Sequence, residues 1–72
     1  MARFYYNDEN GIRVYIKSID FAEGKLTFTN DEEEAYRGRD GYYARPLRDQ
    51  IATMFSSEYP EVKNIEVTAA YY

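Results

Sequence analysis

Seventy-two residues, with nine basic side chains against thirteen acidic and no cysteine or histidine, make one domain at residues 1–72 and leave no room for a second. The missing Cys and His remove disulfides, the common zinc ligands and the usual catalytic triads. The net charge of −4 opposes general affinity for a phosphate backbone.

A chain this short buries only about 60% of its unfolded surface, so the nine Tyr and four Phe, or a partner subunit, must supply most of the core. Residues 1–10 are polar and lack the apolar stretch of a signal peptide. No apolar run approaches the roughly 18 residues of a membrane span. The expected setting is cytoplasmic, with no membrane association. The charge is uneven: residues 1–35 hold four basic and eight acidic side chains, residues 36–72 five of each.

In chain order, Ala2 to Tyr6 reads as a strand and Asn7 to Gly11 as a turn, because Asn, Asp and Gly tolerate left-handed conformations. Ile12 to Ile19 alternates, with Ile12, Val14 and Ile16 on one face and Arg13, Tyr15 and Lys17 on the other, the period of a half-buried strand. Asp20 to Gly24 turns the chain, with Gly24 suited to positive φ. Lys25 to Thr29 alternates again, with Leu26 and Phe28 inward. Asn30 to Tyr36 is expected as a short helix capped by Asn30, with Glu33 completing a capping box and Gly38 as its stop.

The main helix is expected over about Arg45 to Ser57. Pro46 suits its first turn, and Leu47, Ile51, Met54 and Phe55 form one apolar stripe. Pro60 ends it. Val62 to Tyr71 is the last strand, with Ile65, Val67, Ala69 and Tyr71 on one face, beside either the first or the third strand. The fold class is therefore α+β: a three-stranded antiparallel meander, a short helix, one main helix packed on the sheet and a final strand (β-β-β-α-α-β). The expected core joins the inward residues of the second, third and last strands to the helix stripe.

No motif marks a catalytic, cofactor or metal site. Ser18, Ser56 and Ser57 have no base beside them. The acidic run Asp31, Glu32, Glu33 and Glu34 lacks the alternating ligands and central glycine of a calcium loop; it suits a helix start and offers an acidic surface. Gly38-Arg39-Asp40-Gly41 does not match a phosphate-cradling loop. The chain is expected to be a binding protein rather than an enzyme, with no cofactor.

The unusual stretch is 36–48. It holds Arg37, Arg39, Arg45 and Arg48, four of the six arginines, with Tyr36, Tyr42 and Tyr43. Arg and Tyr dominate binding hot spots because they bring large area and a directional polar end. They also stack on bases and clamp phosphates. The bland alternative is that the arginines pair with Asp31 to Glu34 and the tyrosines cover the sheet edge. Tyr5, Tyr6, Tyr15, Tyr71 and Tyr72 supply a second candidate, an aromatic sheet face away from the helix that could pair two copies into a homodimer.

In size, absence of Cys, abundance of Tyr and the run Asp31-Glu32-Glu33-Glu34, the chain resembles the small acidic proteins of phages and mobile elements, including anti-CRISPR and anti-restriction inhibitors. The resemblance is one of character and carries no functional residues. It implies stoichiometric binding to a protein or ribonucleoprotein complex. Carboxylates acting as phosphate surrogates would place Asp8, Glu9, Asp20, Glu23 and 31–34 along one stripe. Nucleic-acid binding would instead gather the arginines and tyrosines of 36–48. Direct nucleic-acid binding is the less favoured of the two.

Overall fold

In the computed structural model, which describes residues 1–72, the elements follow the order β1 (Ala2–Asn7), β2 (Arg13–Asp20), β3 (Lys25–Thr29), α1 (Ala44–Glu58) and β4 (Thr68–Tyr71). Two 3-10 turns, Glu32–Glu34 and Gly41–Tyr43, precede α1. The α+β expectation holds. The sheet is antiparallel with strand order β3-β2-β1-β4, so the last strand lies beside the first. The helix covers one face of this sheet, and no helix is long and apolar enough to cross a membrane.

Alternation sorts the strands into two faces. Phe4 and Ile16 are fully buried toward the helix, where they meet Ile51, Phe55, Leu26 and Val67. Tyr6, Phe28, Phe55 and Tyr59 extend this core as an aromatic cluster. Its ring centroids lie 5.1 Å (Tyr6–Phe55), 5.2 Å (Phe55–Tyr59) and 6.0 Å (Tyr6–Phe28) apart. Such tilted and edge-on pairs add about 0.5–1.5 kcal/mol each beyond burial.

Several expectations need correction. Ile12 is not core: it is half exposed, because the turn after β1 closes through it. Its amide donates to Asp8 Oδ1 at 2.9 Å and its carbonyl accepts from the Asp8 amide at 2.9 Å. The short helix is only the 3-10 turn Glu32–Glu34, and its cap is Asp31, whose side chain accepts from the Glu33 amide, not Asn30. Asn30 instead donates to the Arg13 carbonyl at 3.1 Å. The last strand is only four residues long. Asn64 adopts a left-handed conformation (φ 63°), which breaks the chain ahead of β4.

Gly38 does not stop a helix. β1 and β2 pair only over Tyr5↔Tyr15 to Asn7↔Arg13. Past that point they separate, and the backbone of 36–38 enters the gap. The Tyr36 amide donates to the Ile16 carbonyl at 2.8 Å, and Ala2 and Gly38 exchange two bonds of 2.8 Å. The parting coincides with a register shift in β2 between Ile16 and Ser18, a bulge that bends the strand away. Gly38 suits this close approach: a Cβ would lie 3.0 Å from Phe4 Cε2 and 3.4 Å from Leu47 Cδ2, so the buried Phe4 ring would have to give by a few tenths of an ångström.

Urea denaturation provides a paired check. Ile51→Ala, at a site with no exposure, loses about 2–5 kcal/mol. Gly38→Ala loses about 1–3 kcal/mol by overpacking the Phe4 ring. Ile12→Ala stays within about 0.5 kcal/mol of the parent.

Candidate functional site

The segment leaving the sheet gap builds the surface that the composition singled out. Gly41 has φ 67°, a conformation natural to glycine, and starts the 3-10 turn that delivers the chain to α1. Buried Ala44 anchors the first helical turn against the core. Tyr42 and Tyr43 thereby project outward, 95% and 59% exposed. The Arg39 guanidinium lies 4.8 Å from the centre of the Tyr43 ring, an exposed cation–π contact worth about 0.5–1 kcal/mol.

A groove of about 430 Å³ runs beside this stack. Tyr36, Arg37, Arg39 and Tyr43 line it, together with Leu47 of α1 and Phe21 from the β2–β3 turn. Four of the seven residues singled out in 36–48 therefore share one groove. Tyr42 stands out into solvent, and Arg45 is exposed on the first turn of α1. Arg48 is engaged by the neighbouring Asp49 at 3.1 Å. Phe21 was missed in the sequence, although its signal was available: a large apolar residue at a polar turn, half exposed in the fold.

The first turn of α1 contains no acidic residue, while Arg45 and Arg48 lie in its first two turns. Cations at this end oppose the helix dipole and cost a few tenths of a kcal/mol each. Of the four arginines of 36–48, Arg37 pairs with Glu33 and Arg48 with Asp49, which leaves Arg39 and Arg45 without a carboxylate partner.

The acidic run is positioned differently from a free acidic surface. Glu32 folds back over the sheet face opposite α1. Its carboxylate accepts from Arg3 Nη1 at 2.9 Å and from the Tyr15 hydroxyl at 3.3 Å. Arg3 is almost wholly buried, with its Nε unpartnered, and its guanidinium also stacks on Tyr72 at 4.5 Å. Glu34 accepts from Thr29 Oγ1 at 2.8 Å, and exposed Glu33 sits 3.7 Å from Arg37. That is one of the arginine pairings expected of this run; the other loop arginines make none with it. Asp31 spends its side chain on capping.

The acidic turns do not gather at one end of the sheet. Asp8 and Glu9 precede β2 while Asp20 and Glu23 follow it, so the two turns lie at opposite ends of an eight-residue strand, about 26 Å apart.

The tyrosine face is also smaller than expected. Adjacent strand residues point to opposite faces, so Tyr5, Tyr15 and Tyr72 face away from the helix. Tyr6, paired with Val14, turns into the core, and Tyr71, paired with Ala2, lies on the helix side. Tyr15 is buried there by Glu32 and Tyr72. Arg13 stacks on Tyr5 at 3.9 Å.

The chain matches no protein-family model, no curated protein and no solved structure.

The Tyr72 phenol is held above its ordinary value near 10, chiefly by its hydrogen bond to Tyr15, then by burial. A group whose folded pKa is raised stabilises the fold below its unfolded pKa and loses that contribution as pH rises through the folded value. Stability is therefore expected to fall above pH ~10, and Tyr72→Phe to flatten that alkaline decline. Thermal midpoints from pH 8 to 11.5, with tyrosinate absorbance, check this; an unchanged profile in Tyr72→Phe contradicts it.

Proposed function

We propose that this chain is a small protein-binding module whose contact surface is the Arg/Tyr groove of 36–48, and that it acts by stoichiometric binding rather than catalysis. The observation that carries the reading is Tyr42, 95% exposed beside the Arg39–Tyr43 stack. A phenol ring left in water on an ordered turn contributes nothing to the core, whereas at an interface it supplies a large, nearly rigid contact. Phe21, Leu47 and Pro46 give the groove apolar walls. Arg37 and Arg39 line it as cations.

The partner that fits is a protein segment with an apolar anchor and acidic neighbours. A phage- or mobile-element-type inhibitor, cytoplasmic and aimed at a host protein or ribonucleoprotein complex, is the specific form of the proposal. It rests on the resemblance in size and composition.

The gathering of Arg37, Arg39, Tyr36 and Tyr43 around one groove also favours a second reading, binding of single-stranded nucleic acid through stacking and phosphate contacts. The net charge and the apolar walls favour protein. Homodimerisation through the sheet's open face has less support, since Tyr6 and Tyr71 do not contribute to that face.

Affinity capture from a bacterial lysate, followed by titration of the captured partner, tests the proposal. Tyr42→Ala, Tyr43→Ala and Arg39→Ala are expected to weaken that complex by about 2 kcal/mol or more each. Their unfolding free energies should stay within about 0.5 kcal/mol of the parent. Capture indifferent to all three changes contradicts the proposal. A salt-sensitive gel shift with single-stranded DNA moves the assignment to the second reading.

A further inference from the structure

The largest hollow in the molecule lies at the other end of α1 from the Arg/Tyr groove. It is an open cleft of about 770 Å³ between the end of β1, the last turn of α1 and residues 59–65, within the size range of small-molecule sites. Its floor is aromatic: Tyr6, Phe28, Phe55 and Tyr59. Its rim carries three carboxylates, Asp8, Glu9 and Glu61, against one cation, Lys63.

None of these carboxylates is held in an ion pair. The ion pairs of the molecule are Met1–Asp40, Arg3–Glu32, Arg37–Glu33 and Arg48–Asp49, none of which involves the rim. Asp8 is held in place through Oδ1, which accepts from the amides of Asn10 and Ile12 at 2.9 Å each; Oδ2 makes no hydrogen bond. The far wall is shaped by Asn64 in a left-handed conformation (φ 63°), which Asn adopts more readily than most residues with a Cβ.

Ring faces carry negative potential, so carboxylates above an aromatic floor favour a cation and disfavour an anion. The Tyr6 phenol registers the same field: its pKa is raised by burial first and then by the charge of Asp8.

We infer that this cleft binds a small organic cation, a protonated amine carried on an apolar or aromatic body. The site is separate from the groove of the proposed function and does not depend on it. The aromatic floor takes the body of the ligand, and Asp8 Oδ2 with Glu61 takes the ammonium.

Amide chemical-shift titration by NMR tests the inference with three shape-matched probes: phenethylammonium, 2-phenylethanol and phenylacetate. Phenethylammonium is expected to shift the amides of 6–9 and 61–65 with a Kd on the order of 1 mM, as suits so small a ligand. The alcohol should bind several-fold more weakly and the carboxylate not at all. Raising salt should weaken the ammonium alone. Asp8→Asn with Glu61→Gln should lower its affinity about 5-fold or more; the asparagine keeps an oxygen to accept the two turn amides. Equal binding of all three probes to the parent overturns the inference, as does the absence of shifts in those amides at ~20 mM ligand.

Discussion

Three backbone hydrogen bonds, Tyr36 to Ile16 and the reciprocal pair between Ala2 and Gly38, hold the rest of the molecule in its arrangement. Each contributes about 1 kcal/mol net, but their larger effect is geometric. β1 and β2 are hydrogen-bonded for only three residue pairs, and without the inserted segment their parted ends would leave buried polar groups unmet. The insertion closes the sheet and ties the chain down immediately before the exposed turn. Tyr42, Tyr43 and Arg39 are therefore mounted within five residues of a sheet bond. A rigid mount lowers the ordering cost that a flexible loop incurs on binding.

The opposite face of the sheet depends on Glu32 in a related way. No helix covers that side, yet Tyr15 is buried and Arg3 nearly so. The 3-10 turn supplies a carboxylate that neutralises Arg3 and accepts from Tyr15, and Tyr72 lies over the guanidinium. A layer one side chain thick thus replaces a second helix, and it uses the acidic run internally. At the sheet edge, Glu58 has a comparable task. It sits at the helix end where the dipole disfavours a carboxylate, but its Oε1 accepts from the Leu26 amide of edge strand β3 at 3.2 Å.

The fold was largely legible because its signals are local. Alternation placed Leu26, Phe28 and Ile16 inward, the stripe placed Ile51 and Phe55 against them, and Pro60 closed the helix. What escaped depends on contacts distant in sequence. The burial of Tyr15 needs Glu32 and Tyr72, seventeen and fifty-seven residues away. The bulge in β2 is marked by the step from Ile16 to Ile19, which both pack into the core three residues apart, a break that reading Ile12 to Ile19 as one alternating strand passed over; the short β4 follows from Asn64, whose conformation an Asn only permits. The opposed facing of Tyr5 and Tyr6 was deducible from the two-residue period alone. At the candidate surface, composition located the loop, but Phe21 joins it only through the sheet's geometry. The aromatic cleft draws on β1, β3, α1 and 59–65 together, so no single stretch of sequence announces it.

The claim on which the binding account rests is that the Arg/Tyr turn springs from backbone locked into the sheet. Native-state amide hydrogen exchange measures this directly, because amides paired in core strands open only with large-scale unfolding while loop amides exchange freely. The amides of Ala2, Tyr36 and Gly38 should be protected as strongly as those of Tyr5 and Tyr15 in the paired strands, with Arg39 and Tyr42 exchanging far faster. If Tyr36 and Gly38 exchange as fast as Tyr42, the segment is not held in the sheet and the account of a rigid, preformed contact surface is wrong.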